Sequence, residues 1–116
     1  MLSSFQTQGT TWDQLLADAH AVEDAGAFAV VMEMVPAEVA ARVTAELRIP
    51  TIGVGAGPHV DGQLLVWTDW AGFSTGRIPK FVKQYADLKG VLAGAAATFK
   101  ADVEGGVYPG PEHSYE

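Results

Sequence analysis

The sequence contains no cysteine, so disulfides, thiolate metal sites and cysteine nucleophiles are all excluded. That composition fits a reducing compartment. Basic residues are also few: 7 Lys and Arg stand against 14 Asp and Glu, a formal charge of −7. A nucleic-acid binder needs a basic face to meet phosphates, and this balance argues against one. No apolar run approaches the length of a membrane span; the longest lies at Ala27–Met32. The stretch Met1–Thr11 has no Lys or Arg and no apolar block, so it does not read as a targeting peptide. What remains is a globular composition, 48% hydrophobic and 18% charged, over 116 residues, with a cytoplasmic, non-membrane setting as the expectation.

Apolar spacing predicts alternating helices and strands. Trp12, Leu15, Leu16, Ala19 and Val22 predict a helix over Trp12–Asp24, with Thr11 as N-cap and Gly26 as stop. Ala27–Met32 is apolar on both alternating faces, as in strands of a covered parallel sheet. Pro36 suits the first turn of a second helix with Val39, Ala40, Val43 and Leu47 inward, and Glu38 and Arg42 spaced for an ion pair. Pro50 ends it. Thr51–Val54 and Gln63–Trp67 read as two further strands, joined by a glycine-rich loop that is short for a parallel crossover. Pro79 is expected to open a short helix carrying Phe81, Val82 and Tyr85. A final helix carries Leu88, Leu92, Ala95, Ala96, Phe99 and Val103 on one side and stops at Gly105-Gly106.

The expected class is therefore α/β with parallel strands, opening on a helix. Three strands make a narrow sheet, and a helix before the first strand suggests a chain that starts in mid-pattern. A complete eight-fold barrel needs ~250 residues, so this length supplies only the last units of one.

Glu33 is the leading candidate for chemistry. Alternation places Ala29, Val31 and Glu33 on one strand face and Phe28, Val30 and Met32 on the other. The carboxyl ends of parallel strands are where α/β enzymes hold catalytic groups. Flanked by Met32, Met34 and Val35, an ionised carboxylate there would be poorly solvated and its pKa raised, as suits a general base. A solvated strand-end glutamate, or one paired with a lysine, reads the same pattern equally well.

The other candidates are weaker. Gly53-Val54-Gly55-Ala56-Gly57-Pro58 has neither dinucleotide-binding nor P-loop spacing, and a tight packed turn explains it better than an anion site. His20, His59 and His113 lack metal-ligand spacing. Asp61 shares the glycine loop, and Asp69 reads as a loop-capping residue. Ser74 does not sit in a nucleophile elbow. Arg77, Lys80, Lys83 and Lys89 read as a solvated helix face.

In one order, four blocks resemble ketopantoate hydroxymethyltransferases. They are Gly26–Pro36, Ile49–Gly57, Asp61–Val66, and Gly105–Pro109 with Glu112–Ser114. The resemblance runs from about Phe5 to Ser114. It implies a (β/α)8 TIM barrel of the phosphoenolpyruvate/pyruvate-type group and a cytoplasmic homo-oligomer. It also implies transfer of a hydroxymethyl group from 5,10-methylenetetrahydrofolate to 3-methyl-2-oxobutanoate, with Mg2+ holding the keto acid, in pantothenate biosynthesis. The family's base falls on Glu33. Its metal ligands and keto-acid lysine belong to the first half of the barrel. Residues 1–116 resemble only the last three strands and the C-terminal helices, an incomplete barrel domain. No residue here matches a metal ligand, and none is assigned to folate. Met1-Leu2 reads as a start placed within a longer frame. The alternative to a transferase is a non-catalytic piece that associates with the missing N-terminal half.

Overall fold

The computed structural model describes residues 2–6 and 12–116. Four parallel strands form one sheet in the order β1-β2-β3-β4: β1 (Leu2–Gln6), β2 (Ala29–Glu33), β3 (Thr51–Val54) and β4 (Gly62–Gln63). Helix α1 (Trp12–Asp24) connects β1 to β2, and α2 (Ala37–Glu46) connects β2 to β3. The mixed α/β class is as expected, and so are α1, α2, β2 and β3.

The core lies between the two helices and one face of the sheet. Leu15, Leu16 and Ala19 of α1 meet Val39, Ala40 and Val43 of α2, over Val30 and Met32 of β2. The larger residues of β2 thus face the helices, as the alternation predicts. Phe28 departs from this, since it precedes the strand and is exposed. Val31 and Glu33 occupy the other, less covered face.

Several expectations are corrected. The chain opens on a strand, not a helix: Leu2–Gln6 pairs in register with Ala29–Glu33. The sequence gives that segment no period-two pattern, and backbone pairing alone defines it. Thr11, the expected N-cap, lies outside the described residues. Trp12, expected in the buried stripe, is exposed at the start of α1. Glu38 and Arg42 form no ion pair among the described residues, and both are exposed, where such a pair gains little.

The strand expected at Gln63–Trp67 shrinks to Gly62–Gln63. Leu64 still donates its N–H to Gly53 O at 2.9 Å, but Trp67 already begins the single helical turn α3 (Trp67–Trp70). The short crossover from β3 to β4 is nonetheless parallel, with Ile52 opposite Gly62. It is possible because the loop folds directly back along β3, with Ala56 buried and Val60 against the core.

Residues 66–79 and 83–116 form a second unit. No helix follows Pro79: the N–H groups of Tyr85 and Ala86 donate to Trp70 O, which diverts them from helical partners. Helix α4 (Leu88–Glu104) begins at Asp87, whose carboxylate accepts from Gly90 N at 3.1 Å. Its apolar stripe is present as expected but not buried, with Leu92 47% and Phe99 58% exposed. Phe99 of α4, Tyr108 and His113 pack in succession as tilted rings at centroid distances of 5.5 and 5.0 Å, and a 3-10 turn spans Pro111–His113. Among the described residues no helix is long and apolar enough to cross a membrane.

Candidate active site at the carboxyl end of β2

Glu33 is the last residue of β2, opposite Gln6 of β1 and Val54 of β3. Its side chain is half-buried, and no hydrogen-bond or ion-pair partner for it occurs among the described residues. The lysine-paired reading is therefore not what the structure holds. Immediately after it the chain turns sharply. Met34 has φ +55°, a left-handed value that is uncommon outside glycine. Its N–H donates to Val54 O at 2.8 Å. Val35 then turns into the core and Pro36 caps α2, its carbonyl accepting from Val39 and Ala40 at 3.0 Å. Met34 itself is 55% exposed, so the carboxylate is not enclosed by its methionine neighbours as the sequence suggests.

The glycine loop stands beside this turn. Gly55 and Gly57 have φ +67° and +80°. A Cβ on Gly55 would lie 2.6 Å from the Phe81 ring, and one on Gly57 would lie 2.5 Å from Ala37 Cβ. These glycines serve close packing, which agrees with the tight-turn reading. The amide of Gln63 donates from Nε2 to Gly57 O at 2.8 Å. Phe81, expected on a helix face, instead lies over Gly55 from a loop. Neither contact leaves a periodic signal in the sequence.

Asp61 does not reach this end of the sheet. Its carboxylate accepts from Thr51 N at 2.9 Å and Thr51 Oγ1 at 3.2 Å, at the opposite end of β3. Thr51 is fully buried, and its hydroxyl lies 2.8 Å from that of Thr44. The same amino-terminal end holds Glu23, whose carboxylate accepts from the backbone N–H groups of Arg48 and Ile49. Those two donors hold the Glu23 pKa below the usual carboxylate range.

The remaining candidates are scattered. Asp69 accepts from Ser74 Oγ at 2.6 Å, the loop-capping role expected of it. His20 lies 3.8 Å from Glu46, His59 is exposed, and His113 Nδ1 accepts from Gly110 N. Arg77, Lys80, Lys83 and Lys89 are exposed, on loops for the first three. Among the described residues no three His, Asp or Glu side chains converge to hold a metal ion. This donor set does not fit a divalent cation by itself.

A carboxylate at the carboxyl end of a parallel strand, here without a partner among the described residues, stands where α/β enzymes bind their ligands. The chain belongs to a transferase family: residues 1–111 match the family model described as ketopantoate hydroxymethyltransferase. It is 72% identical over 110 residues to 3-methyl-2-oxobutanoate hydroxymethyltransferase of Leifsonia xyli subsp. xyli, covering 95% of this chain and 40% of that protein. The protein of the same name from Saccharopolyspora erythraea is 60% identical over 111 residues, covering 96% and 38%. That from Streptomyces coelicolor is 63% identical over 101 residues, covering 87% and 35%. The chain thus spans about two fifths of the length of these curated relatives.

Proposed function

We propose that this chain supplies the general-base segment of a ketopantoate hydroxymethyltransferase, within a (β/α)8 barrel. The observation that carries this reading is the Glu33 carboxylate at the carboxyl end of β2, without a hydrogen-bond or ion-pair partner among the described residues, in a chain of this family. In the proposed reaction Glu33 takes the C3 proton of 3-methyl-2-oxobutanoate. The electron pair left on C3 attacks the methylene carbon of 5,10-methylenetetrahydrofolate. The C–N bonds of that carbon break, water supplies its hydroxyl, and 2-dehydropantoate and tetrahydrofolate result. Magnesium and the folate belong to the reaction as the family resemblance implies it, and no described residue here is assigned to hold either. A cytoplasmic homo-oligomer belongs to the same reading.

Carboxylate bases contribute about 10²–10⁴-fold to such steps. The test is formation of 2-dehydropantoate by the chain, alone and mixed with the amino-terminal segment of the Leifsonia xyli relative. The mixture is expected to turn over and to lose activity with Glu33→Gln.

A second reading, a non-catalytic piece that acts only by association, is favoured by α4, where no residue is buried along its length. Large exposed apolar surfaces mark association sites. A stable, monodisperse monomer that ignores the amino-terminal segment would count against it.

A further inference from the structure

Gln63 is the last residue of β4, at the edge of the sheet and exposed, where nothing in its own surroundings requires a hydrogen bond. Its Nε2 nevertheless donates to Gly57 O at 2.8 Å. Gly57 in turn lies on Ala37, so closely that a Cβ would come within 2.5 Å of the alanine methyl. Ala37 is the first residue of α2 and stands four positions after Glu33. Between them, the left-handed turn at Met34 is tied to Val54 O. The turn that carries Glu33 is therefore held at two points, through Met34 to Val54 at the end of β3 and through Ala37 to Gly57 in the β3–β4 loop. Val54 is fixed within the sheet. Gly57 is part of an irregular loop, and the Gln63 amide is the side-chain bond that holds its carbonyl.

We infer that Gln63 is a positioning residue for Glu33, acting through Gly57 and Ala37. The inference rests on the reading of Glu33 as the base, because only a reacting carboxylate needs its approach angle held this closely. Without the amide, Gly57 is free to lift from Ala37, the turn at Met34 relaxes, and the carboxylate samples positions that do not face the substrate proton.

The test compares the wild-type chain with Gln63→Met, which keeps length and removes the donor, and Gln63→His. The histidine places Nε2 the same number of bonds from the backbone and is uncharged at pH 8. Two quantities are read by NMR at that pH: exchange of the Met34 amide against that of Ile49 at the other end of the sheet, and the 13C shift of the Glu33 carboxyl. The methionine variant is expected to speed Met34 exchange about three- to tenfold, the span of one net hydrogen bond. Ile49 should stay unchanged, the Glu33 signal should move, and histidine should restore both. Equal acceleration at Met34 and Ile49 would make the bond a general stabiliser and overturn the inference. An unmoved Glu33 signal would do the same. Neither readout needs turnover. If the Glu33 signal responds while Glu33→Gln leaves turnover intact in the assembled protein, the coupling stands and the assignment of the base fails.

Discussion

The N–H of Met34 donates to the carbonyl of Val54 at 2.8 Å, so the turn that follows Glu33 is fastened to the end of the neighbouring strand. Met34 pays for this with a left-handed backbone at φ +55°. Non-glycine residues in that region cost of order 1 kcal/mol or more and persist only where the surroundings hold them. Here the surroundings are β3 on one side and the glycine loop on the other. The result is a carboxylate on a short, tethered turn instead of a free loop.

Gly57→Ala tests the loop side of this tether. The substitution adds a methyl 2.5 Å from Ala37 Cβ at a φ of +80°. Gly76 has a nearly identical φ of +81° and nothing within 4 Å of a built Cβ, so it isolates the backbone term. Gly76→Ala is expected to cost about 1 kcal/mol and Gly57→Ala about 2–4 kcal/mol in urea unfolding. Equal losses would mean that the contact with Ala37 carries no energy.

Thr51→Val tests the opposite end of β3. Valine keeps the volume of this fully buried side chain and removes the hydroxyl that bonds Asp61. The Asp61 N–H and the Thr44 hydroxyl each lose a partner. A loss of about 1–2 kcal/mol is expected in the same unfolding assay.

Glu23 sets an acid limit. Backbone donors at Arg48 and Ile49 lower its pKa in the folded chain, so the unfolded chain binds its proton more readily. The stabilisation is complete above the unfolded pKa and fades as pH falls through the lower, folded one. Thermal midpoints measured from pH 6 down to pH 3 should therefore drop more steeply for the wild-type chain than for Glu23→Gln. Parallel curves would show that the carboxylate contributes nothing to the fold.

Much of the first unit is legible in the sequence, for a physical reason. Leu15, Leu16 and Ala19 on α1 and Val39, Ala40 and Val43 on α2 repeat at helical spacing because one stripe of each helix is buried against the sheet. Glu33 is legible because a charge at the end of an apolar strand breaks an alternation that would otherwise be complete. The rest depends on contacts that no local period records. The strand Leu2–Gln6 is defined by its register with β2. Gln63–Trp67 carries a strand-like apolar run, yet only Gly62 and Gln63 pair, and Leu64, Val66 and Trp67 are exposed. The contact of Gly57 with Ala37 spans twenty positions, and the bond from Gln63 to Gly57 lies on a loop whose glycines the sequence explains as a turn. The sequence therefore shows Glu33 as the candidate base, while the contacts around its turn become visible only in three dimensions.

The central claim, that Glu33 is the proton-abstracting base of the hydroxymethyl transfer, is tested most directly by the C3 proton of the keto acid. The chain, mixed with the amino-terminal segment of the Leifsonia xyli relative and magnesium in D2O, is incubated with 3-methyl-2-oxobutanoate, and loss of the C3 proton signal is followed by NMR. Exchange is expected in the mixture, little or none in the chain alone, and a loss of about 10²–10⁴-fold in a mixture carrying Glu33→Gln. Exchange that proceeds at the wild-type rate with Glu33→Gln would contradict the account.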